Sequence, residues 1–224
     1  MSDYCVVIVA AGTGQRMNHS QPKQFIRLNE VPVIVHTIRA FINFDADIQV
    51  IVVLGKDHFQ EWEAVKKDYL SDIPLRTTTG GASRFQSVKN GLSIVKKAKY
   101  VAIHDAARPC IDTQTIRRTF EAAVQTGSGI PVVSLKDSIR SIAENTSKAE
   151  RREHYVTVQT PQTFKLSLIR EAYGAIEAAS FTDDASVYEY SGREVTLVEG
   201  NYRNIKLTTP DDLFIAGTYI KKAL

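Results

Sequence analysis

A mostly parallel β-sheet with helices on both faces, an α/β fold of the Rossmann-like kind, is what the sequence predicts, on three observations. Short β-branched runs recur along the chain, stretches of helical period separate them, and the two alternate instead of segregating into blocks. The 224 residues are enough to bury a core, and no repeat, low-complexity tract or linker divides them. Residues 1–224 therefore read as a single domain.

The first strand is Tyr4 to Val9. Ile34, Val35, Ile38, Phe41 and Ile42 then line one face of a helix, with Pro32 suited to its first turn, where a missing N–H costs no helical bond. Gln49 to Leu54 is a strand. Trp62, Val65 and Tyr69 carry the next helical stripe, and Phe85, Val88, Leu92 and Val95 another, after a turn at Gly80 and Gly81. Tyr100 to His104 reads as strand, Ile116 to Val124 as helix and Ile130 to Ser134 as strand. The alternation then breaks. From Lys136 to His154 the chain is polar, with too little apolar surface to join a core, so it predicts an extended hairpin or arm, ending by about residue 157, that gains order by packing on a second subunit. Ile169, Ala172, Tyr173 and Ile176 resume the core as a helix, and Val195 to Val198 is the last strand. The final helix is capped by Thr209, with Pro210 at its first position and Asp211 and Asp212 at the positive end of its dipole.

Composition narrows the partners. Lys and Arg number 28 against 25 Asp and Glu, a net charge of +3 spread along the chain, which is no nucleic-acid or membrane signature and favours a small ligand. Two cysteines, Cys5 and Cys110, supply neither a disulfide framework nor a cysteine zinc site, and fit a reducing, cytoplasmic setting. The apolar run from Cys5 to Ala11 is far short of a membrane span and lacks a basic flank, so neither a targeting segment nor an anchor is expected.

The exit of the first strand is the most informative segment: Ala10, Ala11, Gly12, Thr13, Gly14, Gln15, Arg16 and Met17, then Pro22, Lys23 and Gln24. Small residues let backbone N–H groups converge on phosphate oxygens, and Arg16 and Lys23 add charge that a mere turn does not need. A dinucleotide fingerprint fits Gly12 and Gly14 but fails at Met17, and a Walker loop is absent. At the end of the Tyr100 strand, Asp105 is placed either to hold Mg²⁺ or to pair with Arg108 and cap a turn; His104 reads as a packed histidine. Gly80, Gly81, Arg84 and Ser87 can admit a flat base at a helix start. Thr182, Asp183 and Asp184 read as a cap, and Lys206 as a surface cation.

Together these segments resemble the 2-C-methyl-D-erythritol 4-phosphate cytidylyltransferases of the non-mevalonate isoprenoid pathway. The resemblance runs from Val6 to about Ala216, in the motifs AAGTGQRM with PKQF, GGASRFQSVKNGL, HDAARP, QTPQTF with FTDDAS, and VEGNYRNIKLTTPDDL. It implies a single-domain nucleotidyltransferase whose arm is exchanged in a homodimer. Ala10, Ala11, Gly12, Gly14, Arg16 and Lys23 would hold the phosphates and ribose of CTP, Gly81 and Ser87 would read cytosine, and Asp105 would hold Mg²⁺. Ser138, Arg152, Thr182 and Lys206 would hold the sugar-alcohol phosphate, Arg152 reaching into the partner's site. Ser138 departs from the family's more frequent threonine, keeping the hydroxyl without the methyl contact.

The implied reaction is attack of a phosphomonoester oxygen on the α-phosphorus of CTP, with pyrophosphate leaving. That oxygen is already anionic, which matches motifs offering cations and no evident base. Arg16 and Lys23 would be the catalytic pair. Ribitol-5-phosphate cytidylyltransferases share the first loop and the arm and are the near alternative; a CTP-sensing module without turnover is the alternative from another class, and a dinucleotide oxidoreductase the distant third.

Overall fold

The computed structural model describes residues 2–12, 21–144, 146–175 and 181–220. In chain order come β1 (Tyr4–Ala10), β2 (Arg27–Leu28), β3 (Val31–Pro32), α1 (Val33–Phe44), β4 (Gln49–Leu54), α2 (Phe59–Tyr69), β5 (Leu75–Thr79), α3 (Arg84–Ser93), β6 (Tyr100–Asp105) and α4 (Thr113–Thr126). Then follow β7 (Ser128–Ser134), β8 (Ile139–Ala143), β9 (Thr146–Glu150), β10 (Val156–Val158), β11 (Gln162–Lys165), α5 (Leu166–Ala175), α6 (Asp184–Tyr190), β12 (Leu197–Glu199) and α7 (Pro210–Tyr219).

The main sheet has the strand order β10-β7-β11-β6-β1-β4-β5, with β12 paired to β7. Strands β6, β1, β4 and β5 run parallel, so Asp105, Ala10, Leu54 and Thr79 end at one rim. That rim is where an open α/β sheet binds ligands. β1 is apolar at every position because both its faces are covered, and its alternation divides two cores. Cys5 and Val7 pack with Phe85, Val88 and Leu92 of α3 and with Ile169 and Tyr173 of α5. Val6, Ile8 and Ala10 pack on the other face with Ile34, Ile38 and Phe41 of α1, Trp62 of α2 and Phe120 of α4. Each such side chain contributes about 1.5–3 kcal/mol by leaving water.

Some elements differ from the sequence expectation. Pro32 stands just before α1 as its N-cap residue and not in its first turn. β5 was not predicted: its Arg76, Thr77, Thr78 and Thr79 are polar because the strand is an edge, half-buried throughout, with Trp62 Nε1 donating to Thr77 Oγ1 at 3.0 Å. β11 was also missed; it enters antiparallel between β6 and β7, burying Gln162 and Thr163. The last strand is Leu197–Glu199, shifted from the expected Val195 start. The polar stretch forms an antiparallel hairpin, β8 with β9, largely exposed, with Ile142 at 81% exposure. Thr209 and Asp212 make a reciprocal capping box at α7.

Candidate active site at the sheet rim

A cavity of about 330 Å³ opens beyond the ends of β1 and β6. It is lined by Ala10, Ala11 and Gly12 running out of β1, by Lys23 and Gln24 on the returning chain, by Gly81 to Arg84 and Ser87, and by Asp105 to Ala107 with Lys206. Gln24 Nε2 donates to the Ala10 carbonyl at 2.9 Å, tying the returning chain to the end of β1. Lys23 Nζ donates to the Leu207 carbonyl at 3.0 Å, which brings the segment carrying Lys206 to the same rim. Gly80 is needed where it stands, since a Cβ would strike the Ala11 Cβ and come within 2.9 Å of Ser87 Oγ. Ser83 caps α3, accepting from Gln86 N–H at 3.1 Å. The Ser87 hydroxyl donates to the Ser83 carbonyl at 2.8 Å and accepts from Gly81 N–H at 3.1 Å. Its proton is committed, so toward a ligand Ser87 offers a lone pair.

Asp105 is the carboxylate at the end of β6, and three cations face it. Lys206 Nζ lies 2.9 Å from Oδ2, Arg108 Nε 3.6 Å from Oδ2 and Arg84 Nε 3.7 Å from Oδ1. Burial works against the charge, yet Arg84, Lys206 and Arg108 hold its carboxyl well below the usual carboxylate range. Arg84 in turn spends both terminal nitrogens on Asp184, at 2.9 and 2.6 Å. With Lys23 opposite, the rim carries an excess of positive charge.

A second cavity, about 290 Å³, shares Arg84, Asp105 and Lys206 with the first and adds Arg108, Gln159, Thr160, Gln162, Thr182 and Asp183. His104 is fully buried beside Asp105 and bonds to two neighbours of that cavity, Arg108 and Thr160. A carbonyl only accepts, so His104 Nε2, 3.2 Å from the Arg108 carbonyl, carries the ring proton, and Nδ1 accepts from the Thr160 hydroxyl at 3.0 Å. Thr160 Oγ1 also accepts from Asp105 N–H at 3.1 Å. Burial pushes the His104 pKa down to about 4, so the ring is neutral and structural and is no base at neutral pH.

The family model of 2-C-methyl-D-erythritol 4-phosphate cytidylyltransferase matches residues 4–222. The chain belongs to that family. A cytidylyltransferase of Bacteroides thetaiotaomicron is 41% identical over 215 residues, covering 96% of this chain and 98% of the relative. One of Porphyromonas gingivalis is 43% identical over 212 residues, 94% of each chain. Among solved structures, the 4-diphosphocytidyl-2C-methyl-D-erythritol synthase of Anaerococcus prevotii superposes with a TM-score of 0.84 at 26% identity, covering 97% of this chain and 98% of that one. The Francisella tularensis cytidylyltransferase gives 0.82 at 29% identity, covering 98% and 100%. Membership makes this chain an enzyme, a nucleotidyltransferase of the cytidylyl-transferring class.

Within this cytidylyltransferase the rim brings together Ala10, Ala11, Gly12, Lys23, Gly81, Ser87, Asp105 and Lys206, and Thr182 joins them in the second cavity. Gly14 and Arg16 lie outside the described residues, as does Ile176. Ser138 and Arg152 do not line either cavity; both are exposed on or beside the arm, and Arg152 Nη1 donates to the Lys136 carbonyl at 2.5 Å. The two readings of Asp105 are not exclusive, because it pairs with Arg108 while still lining both cavities. Lys206 is no free surface cation. In the sequence Arg84 reads only with the helix-start candidate and Arg108 only as a partner of Asp105, whereas Thr160, a hydroxyl before a proline, carries no signal there. Among the described residues no group of three or more His, Cys, Asp or Glu side chains is placed to hold a metal, and no helix is long and apolar enough to cross a membrane.

Proposed function

We propose that the chain transfers the cytidylyl group of CTP to 2-C-methyl-D-erythritol 4-phosphate across this rim, giving 4-diphosphocytidyl-2-C-methyl-D-erythritol and pyrophosphate. The nucleotide occupies the first cavity and the acceptor phosphate the second. The carrying observation is the wall between the two cavities, where Arg84 and Lys206 line both beside Asp105 and Arg108 adds a third cation from the second. Two polyanions must meet there, and fixed cations reduce their repulsion without reorganising. Ala10, Ala11 and Gly12 give the phosphates close backbone approach at the cavity wall, and Gly14 is assigned to the same role from its place in the motif. Gly81 and the Ser87 lone pair suit cytosine, whose exocyclic amine is a donor. Arg16 and Lys23 stabilise charge developing on the α-phosphoryl group and on pyrophosphate. Lys206 and Thr182 orient the acceptor, whose dianion, with a second pKa near 6, needs no base.

A divalent cation fits Asp105, the one carboxylate lining the first cavity among the described residues. Its Oδ1 lies 3.7 Å from Arg84 Nε, beyond hydrogen-bonding distance, so Arg84 does not occupy that oxygen. One carboxylate with phosphate and water as the other ligands is the Mg²⁺ pattern, and the ion would neutralise phosphate charge. Ser138 and Arg152 complete the acceptor site from a second protomer's arm. A homodimer through residues 136–157 is supported by exposed Ile142, Tyr155 and Val156 along that segment. The free cysteines Cys5 and Cys110 accord with a cytoplasmic setting.

The test is pyrophosphate release from CTP and Mg²⁺ with either acceptor. Release with 2-C-methyl-D-erythritol 4-phosphate is expected. Release with ribitol 5-phosphate alone would reassign the acceptor, and CTP binding with no release in either case would make the chain a sensor.

A further inference from the structure

Asp184 is the first residue of α6, and its side chain is fully buried although it is a carboxyl group. The helix does not need it for capping, because Asp183 already accepts from Ser186 N–H at 3.0 Å. What Asp184 does instead is receive the fork of Arg84 from 100 positions earlier, at 2.9 and 2.6 Å, and the Tyr173 hydroxyl at 2.7 Å. With Asp184 fully buried and the Arg84 side chain 27% exposed at the cavity wall, the pair takes a carboxylate out of water, which costs free energy; what it adds in return is a fixed geometry. That geometry joins two places. Arg84 opens α3 directly after Gly81, Ala82 and Ser83 of the nucleotide cavity, while Asp184 follows Thr182 and Asp183, which wall the acceptor cavity. Gln162 finishes the joint, accepting from Asp184 and Ala185 N–H at 2.9 and 2.8 Å and donating to Asp183 Oδ2 at 2.8 Å. Because Asp184 holds both terminal nitrogens of Arg84, the arginine is not free to grip a phosphate with its fork.

We propose that Arg84 is a positioning residue which, through Asp184, holds the Thr182–Asp183 wall of the acceptor cavity in register with the nucleotide cavity. This rests on assigning the second cavity to the acceptor phosphate. The nucleotide side keeps its shape without the pair, through the Ser83 cap and the Ser87 hydrogen bonds. The acceptor wall keeps its Gln162 and Tyr173 hydrogen bonds but loses its tie to α3, so loss of the pair falls mainly on one substrate.

The experiment measures KM for each substrate, kcat, and calorimetric CTP affinity in wild type, Arg84→Lys and Tyr173→Phe, with thermal unfolding of each. Arg84→Lys keeps the charge and loses the fork. Tyr173→Phe removes one hydrogen bond from Asp184, touches neither cavity, and keeps the ring stacked on Phe85, whose centroid is 4.6 Å away. The expected result for Arg84→Lys is a loss of about ten- to a hundredfold in kcat/KM for the acceptor, with CTP affinity changed by less than about twofold. Tyr173→Phe should move the same way by less, and it decides the matter if Arg84→Lys does not fold. Acceptor kinetics unchanged in the folded variants, or both substrates weakened alike, would overturn the proposal. Failure of wild type to release pyrophosphate in response to the acceptor would remove the site assignment itself, and the proposal with it.

Discussion

Replacing Asp105 by asparagine keeps its shape and removes the one charge its three cations share. The consequences differ by neighbour. Arg84 retains Asp184 as a bidentate partner, and Lys206, 38% exposed, turns to water, so each loses little. Arg108 is the exception: its side chain is only 12% exposed, its Nε has no hydrogen-bond partner among the described residues, and Asp105 is its counterion at 3.6 Å. Stranding a buried charge costs about 3–5 kcal/mol, and with one cation stranded the lower end, about 3 kcal/mol, is expected. For a chain of this length that corresponds to a fall in Tm of about 6–12 °C. Pyrophosphate, an anion of the right size for the vacated charge, should raise the variant's Tm by more than it raises the wild type's, because a ligand stabilises according to its affinity for the folded form. Scanning calorimetry of both proteins with and without pyrophosphate checks this. An Asp105→Asn protein as stable as wild type, or equal stabilisation of the two by pyrophosphate, would refute the charge accounting.

Three further outcomes follow from the same geometry. The His104 pKa is displaced from 6.5 to about 4 by burial, so between those values unfolding takes up a proton; stability from this group is full above about 6.5 and is lost as pH falls through the window, by at most about 1.4 kcal/mol per pH unit. Burial lowers the pKa of His36 as well, so His104→Gln should reduce the slope of stability against pH without abolishing it, as urea titrations at several pH values would show. Lys23→Ala should lower kcat by about a hundredfold or more, since its charge serves developing negative charge; an unchanged kcat would remove it from the chemical step. Arg152→Ala should raise the acceptor's KM far more than that of CTP, and equal effects would count against a contribution from the arm.

The sequence made the parallel centre of the sheet readable because β1, β4 and β6 are buried on both faces and their composition says so. β5 and β11 escaped notice for the opposite reason. Arg76 and the threonines of β5 lie at an edge, and Gln162 and Thr163 of β11 are polar residues buried by hydrogen bonds. The small-residue exit of β1 and the lysine after it read as a phosphate site because small residues followed by cations have little other use, and the structure brings Ala10, Ala11, Gly12 and Lys23 to one cavity. The ring of cations around Asp105 was legible only in Arg108, three residues away. It is assembled from residues 84, 105, 108 and 206, and only the chain's return along the rim, seen in the bond from Lys23 to the Leu207 carbonyl, puts Lys206 in reach. The neutral tautomer of His104 needed Thr160 and the Arg108 carbonyl on its two sides, a relation no spacing reveals.

The claim on which the account turns is that charge alone, without a proton-accepting side chain, lets the acceptor phosphate attack. The pH dependence of kcat/KM for the acceptor at saturating CTP and Mg²⁺ tests it. The prediction is a rise through the second ionisation of the phosphomonoester, near pH 6, and then a plateau to about pH 9. A further rise within that range that moves with mutation of a rim residue, and not with the acceptor's own pKa, would reveal a base and contradict the account.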